Sequence, residues 1–191
     1  MVKSALAHFD DHFSPYLHCF QRQTRTVEQA ARLYLHGLFQ CDRRNMEHMA
    51  EQVAGSHYQR LHHMLSESNW SLTEVREQLI VDANAHFGYG AALVFDESGF
   101  AKKGDKSAGV ARQWNGRLGK KENSQIGVFA ALVRDRACAL VDGELFVPEH
   151  WFADPQRCRE AGMPEKLEFR TKGEIALDLL LRLRREGLRY S

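Results

Sequence analysis

The spacing of apolar residues predicts a helical region over the first 88 residues of this 191-residue chain. One apolar stripe at helical spacing is formed by Val27, Ala30, Ala31, Tyr34, Leu35 and Leu38. Aromatic residues predict an earlier helix that is interrupted near Pro15. Ser71 and Glu74 form a capping-box pattern, which predicts a further helix that ends at Gly88.

The pattern changes to that of strands at Ala91. The apolar run 91–95 predicts a buried strand that ends at Asp96, and a long glycine-rich loop follows it. Two apolar segments, 125–133 and 138–147, are separated by a polar turn and predict a β-hairpin.

The remaining segment predicts two helices. One is short, over 155–161, and the other begins at a second capping box, Thr171 with Glu174, and ends near Gly187. The predicted fold class is therefore α+β, with a helical domain over 1–88 and a partial α/β domain over 89–191. In α/β domains a helix like the last one normally crosses to another parallel strand. We therefore expect the next strand of this sheet to lie beyond Ser191.

Charge is unevenly distributed along the chain, although the formal net charge is only +1. The segment Ala101–Lys121 carries one acid, Asp105, and the basic residues Lys102, Lys103, Lys106, Arg112, Arg117, Lys120 and Lys121. Such a segment is a candidate polyanion contact, and a solvated loop is the alternative. The four cysteines form no metal-binding or dithiol spacing, and no membrane span is predicted.

Asp96 is the strongest candidate for chemistry. A carboxylate after a buried strand is costly unless it binds a ligand, faces a cleft or caps the next loop. Beside a basic segment it has the environment that a metal-dependent phosphodiester enzyme needs, because the carboxylate can hold a divalent cation while the cations hold backbone phosphates.

Six ordered segments resemble the insertion-sequence DDE transposases of bacteria, in particular the insertion-sequence 701 group. One of them begins at the candidate carboxylate and reads DESGFAKKG, and the next along the chain reads SAGVARQWNGRLGKKENSQIGVF. The six segments are 34–38, 45–50, 96–104, 107–129, 140–154 and 169–172. Trp114 and Ser124 depart from the usual Tyr and Cys of the family, and we interpret both as packing substitutions.

This resemblance implies a ribonuclease H-like catalytic domain preceded by a helical domain that contacts transposon ends. In the family three carboxylates hold two Mg²⁺ or Mn²⁺ ions for DNA cleavage and strand transfer. Asp96 matches the first of them, as catalytic residue and metal ligand. The second and third are expected beyond Ser191. Besides the seven basic residues, Gln113 falls in the segment assigned to DNA contact.

Nearby acids are weaker candidates. Glu97 is expected on the opposite side of its strand from Asp96, and Asp142 and Glu144 are expected on one water-facing side of the hairpin. The tryptophans, Trp114 included, are expected to be core or loop anchors rather than platforms for DNA bases.

Two functions remain open. The chain is either part of a transposase, inactive alone, or a stand-alone DNA-binding protein that occupies transposon ends and regulates the full-length enzyme. Both hypotheses imply a cytoplasmic, nucleoid-associated bacterial protein with DNA as partner. A homo-oligomer or a complex with full-length transposase is the further expected assembly.

Overall fold

A computed structural model describes residues 2–21 and 26–191, with side chains from residue 6 onward. Contacts divide the chain into two compact units, Met1–Gln78 and Leu79–Ser191. The division falls inside a helix, before the domain boundary that the sequence pattern predicts at residue 88.

The described residues of the first unit form helices and their connections, with one isolated β-bridge between Gln21 and Thr26. A 3₁₀ helix, Ser14–Phe20, begins where Pro15 interrupts the aromatic pattern, as predicted. Its α-helices are α1 (Val2–Phe13), α2 (Glu28–Gln40), α3 (Met46–Gln52), α4 (Tyr58–Ser66) and the first part of α5 (Leu72–His86). Helices α2, α3 and α4 enclose a small apolar core of Leu33, Cys41, Met49, Val53 and Leu61.

The second unit is an antiparallel sheet with helices after it. Its strands are β1 (Ala92–Ala101), β2 (Ala111–Asn115), β3 (Lys120–Arg134) and β4 (Ala137–Phe146), and its later helices are α6 (Pro155–Glu160) and α7 (Lys172–Arg185). The long strand β3 lies at the centre of the sheet, since β1 pairs with one edge of β3, and both β2 and β4 pair with the other edge.

The two faces of the sheet differ in how they are covered. Helix α7 covers one face, where Ile175 and Leu179 pack on Val128. The end of α5 packs on the same face through Ile80 and Ala83. The opposite face carries exposed apolar side chains, namely Val94, Phe100, Trp114, Leu140 and Leu145. We call this second face the open face.

Several sequence predictions are confirmed here. The hairpin of β3 and β4, the short helix α6 and the last helix all form close to their predicted bounds. Both sides of the predicted capping box are present, since Thr171 caps Glu174 N–H and Glu174 accepts from Thr171 N–H. The fold is α+β, a helical unit followed by a unit consistent with part of a ribonuclease H-like domain.

Two predictions about the strands and loops of the second unit were wrong. The first strand does not end at Asp96 but continues to Ala101, because β3 is long enough to pair with all ten residues of β1. The basic segment is not one loop, since it contains β2 and the start of β3. Asp96 is therefore a mid-strand residue.

Candidate functional site

Asp96 lies on the open face of the sheet, directly opposite Phe129 of β3. Its side chain is exposed, and one carboxylate oxygen, Oδ1, accepts a hydrogen bond from Glu97 N–H at 2.8 Å. The carboxylate is therefore accessible to a ligand.

Phe129 shapes the surface beside this carboxylate. Its ring lies so close to two glycines that a Cβ added at Gly127 or at Gly143 would come within 2.6 Å of a ring atom. Phe100 meets the same ring edge-on, with 6.3 Å between ring centroids. The two glycines thus let an aromatic ring lie low across the sheet next to Asp96, where a larger residue would displace it.

The other acids near β1 and β4 are turned away from Asp96. Glu97 pairs with Lys172 Nζ at 2.5 Å. Asp142 accepts a hydrogen bond from Arg182 Nε at 2.8 Å, and its side chain is only 7% exposed. The prediction that Glu97 lies on the opposite side of its strand from Asp96 is confirmed, but the prediction that Asp142 faces water was wrong.

A β-bulge causes this orientation. The register between β3 and β4 shifts between Ala130 and Ala131, where Leu140 and Asp142 occupy successive pairing positions and Val141 is the extra residue. Val141 and Asp142 consequently both project toward α7, where Val141 is fully buried. Glu144 follows on the same side, where it pairs with Arg170 and lies 3.6 Å from Arg182.

The cations that face these acids have raised pKa values. Burial by itself would lower the pKa of Arg182, but the hydrogen bond and the charge of Asp142 outweigh it. Arg170 has a raised pKa chiefly because it donates a hydrogen bond to Asp178. The acids of this covered face are thus already neutralised by cations of α7 and by Arg170, which lies two residues before that helix.

The seven basic residues assigned to DNA contact are all exposed. Residues 102–110 form an ordered connection, because side-chain amides bind its carbonyl groups. Asn123 donates to the carbonyl oxygens of Lys102 and Gly104, each at 2.9 Å, and Gln125 donates to that of Ala108 at 2.6 Å. The cations Lys102 and Lys103 therefore project from a segment that is fixed to β3.

Farther along this connection, Arg157 donates to Asp105 O at 3.0 Å and lies 3.7 Å over the ring of Trp151. Trp151 is fully buried and donates to Val110 O, which confirms its role as an anchor. The positioning residues Asn123, Gln125 and Arg157 were not identified from the sequence, although the first two lie within the segment that resembles the transposases.

Strand alternation places part of the basic segment on the open face. Trp114 pairs with Lys121, and Arg112 pairs with Asn123, at odd positions of β3 that share a face with Phe129 and so with Asp96. Trp114 was expected to anchor the core or a loop, and its exposure of 53% excludes the first of these alternatives. One sheet face thus carries the candidate carboxylate and, farther along β3, two cations and an exposed indole.

Other side chains of the basic segment make hydrogen bonds and ion pairs within the protein. Lys120 lies 2.9 Å from Glu122, and this hydrogen bond is the main reason that the pKa of Glu122 is lowered. The side-chain amide nitrogen of Gln113 donates to Ser124 O at 2.8 Å, so Gln113 helps to hold β2 against β3. Ser124 in turn accepts a hydrogen bond from the fully buried Asn115 at 2.9 Å, so it does more than fill space.

The described residues contain no group of three or more His, Cys, Asp or Glu side chains arranged to hold a metal ion. Asp96 is the one acid that the strands place on the open face within residues 92–146. Within the described part of the chain, no helix has the length and apolar character needed to cross a membrane.

Comparison with known proteins identifies the family of this chain. The family model for the DDE superfamily endonucleases matches residues 15–191, so the chain belongs to this family. It is also similar to a probable transposase for insertion sequence element IS701 from Microchaete diplosiphon, with 28% identity over 184 residues. That alignment covers 96% of this chain and 46% of the relative, so the chain spans about half the length of this curated relative. No solved structure matches.

The family predicted from the six sequence segments is thereby confirmed. Enzymes of this superfamily generally depend on divalent metal ions, which agrees with the predicted class of cofactor.

Proposed function

We propose that this chain is the part of an insertion-sequence transposase that binds DNA and supplies its first catalytic carboxylate, Asp96. The observation that carries the proposal is the open face, where Asp96, Arg112 and Lys121 lie on one side of the same sheet. Phosphates held by cations on this face would follow a path toward the carboxylate. The location proposed for such a protein is the bacterial nucleoid.

A divalent ion fits these residues only in part. Mg²⁺ and Mn²⁺ prefer several oxygen ligands, and the open face offers Asp96 without a second carboxylate among the described strands. A cation bound to Asp96 alone would keep mostly water ligands. We therefore assign cleavage and strand transfer to the whole transposase rather than to the residues described.

The DNA contact is expected to depend strongly on salt. About four phosphate contacts would give a slope of about −4 in a plot of log K against log salt concentration. Reversing three exposed cations, Lys102, Lys103 and Lys121, to Glu should weaken binding and flatten this slope. Fluorescence anisotropy with a labelled duplex from the end of an insertion sequence measures both quantities.

A matched triple variant controls for net charge. Arg159, Lys166 and Arg184 are exposed cations outside the basic segment, and their reversal to Glu changes the total charge equally. This variant should retain most of the salt slope. Equal loss in both triple variants would show that net charge alone governs binding, and an unchanged slope in the first would move the DNA contact to the helical unit.

A second candidate function is a DNA-binding regulator that occupies transposon ends without cutting them. What favours it is the orientation of Asp142 and Glu144, which leaves Asp96 without a carboxylate partner on its face. The 191-residue chain should then bind a transposon-end duplex without cleaving it in Mn²⁺. Cleavage that disappears in Asp96→Asn would reject this candidate and show that a complete site exists.

A further inference from the structure

Two aromatic side chains of the open face are largely exposed to solvent. Trp114 of β2 is 53% exposed, and Phe100 of β1 is 47% exposed. Trp114 is paired with Lys121 of β3, and Phe100 is paired with Gln125 of the same strand. Both partners are odd-numbered residues of β3, so the two rings project to the same side of the sheet. Each ring therefore offers aromatic surface to a ligand on the open face.

The two rings form a row that leads to Asp96. Their pairing positions, Lys121 and Gln125, are four residues apart, which is about 13 Å along a strand. Four more residues along β3 lead to Phe129, the pairing partner of Asp96. Phe100 meets the ring of Phe129 edge-on. The row thus follows the direction of β3 and ends beside the candidate carboxylate.

Trp114 is held in place by the residues on either side of it. The side chain of Gln113 donates to Ser124 O at 2.8 Å. Asn115 is fully buried and donates to Ser124 Oγ at 2.9 Å. These two hydrogen bonds fix β2 to β3 on both sides of the indole. Because the strand that carries the ring is already ordered, a ligand that stacks on the ring loses less free energy to ordering the protein.

Positive charge surrounds Trp114 on the open face. Lys121 is its cross-strand partner, and Arg112 lies two residues earlier in β2 on the same side. Both cations are exposed. Glu122 is the one acid within 111–124, and strand alternation places it on the opposite face. The exposed indole therefore lies between two cations, with no acid of this segment on its side.

Exposed rings among cations match the chemistry of single-stranded DNA. In a duplex the bases cover each other's faces, whereas an unpaired base offers a face to an aromatic ring and its phosphate to a cation. We propose that the open face binds an unpaired strand of DNA. Its bases stack on Trp114 and Phe100, its phosphates contact Arg112 and Lys121, and the row of rings directs the strand toward Asp96. This inference rests on the proposed DNA-binding function and names the form of DNA that this face takes.

Anisotropy titrations with a labelled oligothymidylate of about 20 nucleotides, and with a duplex of equal length, test this inference on the whole 191-residue chain. Trp114→Ala should weaken binding of the single strand by about tenfold, because one stacked base is lost, and should change duplex affinity less than about twofold. Phe100→Ala should act in the same direction. The salt slope should not change, because neither substitution alters charge. The matched control is Tyr89→Ala, since Tyr89 is an aromatic residue with 71% exposure that precedes the first strand.

Tryptophan emission provides a second measurement that does not depend on an alanine variant. Oligothymidylate should quench the emission of the wild-type chain, because a base stacked on Trp114 contacts the indole directly. Trp114→Phe keeps an aromatic platform, so it should retain most of the affinity for the single strand while losing most of the quenching. Circular dichroism verifies that each variant is folded.

The outcomes separate this inference from the proposed function. If the wild-type chain binds neither form of DNA at low salt, the proposed DNA-binding function fails, and the inference fails with it. If the chain binds the duplex but not oligothymidylate, or if Trp114→Ala weakens both forms equally or neither, only the single-strand assignment is overturned. Sedimentation tests the other occupant of this face. A wild-type dimer that Trp114→Ala dissociates would show that a second copy covers the open face, and it would overturn the assignment as well.

Discussion

The ion pair of Asp142 and Arg182 gives the strongest test of how the acids of this sheet are arranged. Asp142 is 7% exposed and accepts from Arg182 at 2.8 Å, while its other oxygen accepts from Gly143 N–H at the same distance. Arg182→Met keeps most of the packing of the side chain and removes the charge. Asp142 would then be a largely buried carboxylate with one remaining hydrogen bond.

The expected loss of stability lies between two known limits. Breaking a fully buried pair by removing one partner costs about 3–5 kcal/mol, and a surface pair contributes about 0–1 kcal/mol. The side chain of Arg182 is 23% exposed, and Asp142 retains its backbone partner. We therefore expect Arg182→Met to lower the free energy of unfolding by about 2 kcal/mol.

Urea denaturation followed by tryptophan fluorescence measures this change, since Trp151 is fully buried in the second unit. Arg184→Met, an exposed arginine two residues along α7, should change the stability by less than about 0.5 kcal/mol. A double-mutant cycle with Asp142→Asn should give a coupling energy of about 1 kcal/mol or more. Equal effects of the two arginine variants, or an additive cycle, would refute the view that this pair holds Asp142 toward α7.

Three further predictions concern single sites. Ser124→Ala should destabilise the protein by about 1–3 kcal/mol, because Asn115 loses its acceptor, and Ser124→Cys should cost less; thermal denaturation compares them. Glu174 has a pKa lowered from 4.5 by hydrogen bonds from Thr171, so its stabilising effect is present above that value and is lost as pH falls through the lower folded pKa. Urea midpoints from pH 7 to pH 3 should fall less in Glu174→Gln than in wild type, and equal falls would contradict this. Calorimetry should find Mg²⁺ binding no tighter than about millimolar, and a tight site that survives Asp96→Asn would remove Asp96 as the ligand.

Local signals in the sequence predicted much of the second unit. The capping box at Thr171 and Glu174 acts through contacts three residues apart, so it was readable without knowledge of the tertiary structure. The hairpin was equally clear, because two apolar segments flank a polar turn in which Asp135 adopts φ of 55°.

The end of the first strand could not be predicted in this way. Residues after Asp96 include Ser98 and Gly99, which have low strand propensity, so the apolar pattern in the sequence stops at the carboxylate. Pairing with β3 extends β1 to Ala101, and that pairing joins residues more than twenty positions apart. Gly99 is required there for another non-local reason, since a Cβ would come within 2.6 Å of the side chain of Asn115.

The β-bulge at Val141 shows why a candidate acid could be found in the sequence but not placed. In a regular strand, Asp142 and Glu144 would share a face with Leu140, which is 59% exposed on the open face. They would then lie across β3 from Asp96 and would be natural partners for a metal ion. One extra residue in β4 turns both of them to the covered face, where Arg182 neutralises them. A shift of one residue thus separates a catalytic interpretation of these acids from a structural one. The position of the shift depends on how Val141 fits the core beneath α7, a property of the packed unit rather than of the local sequence.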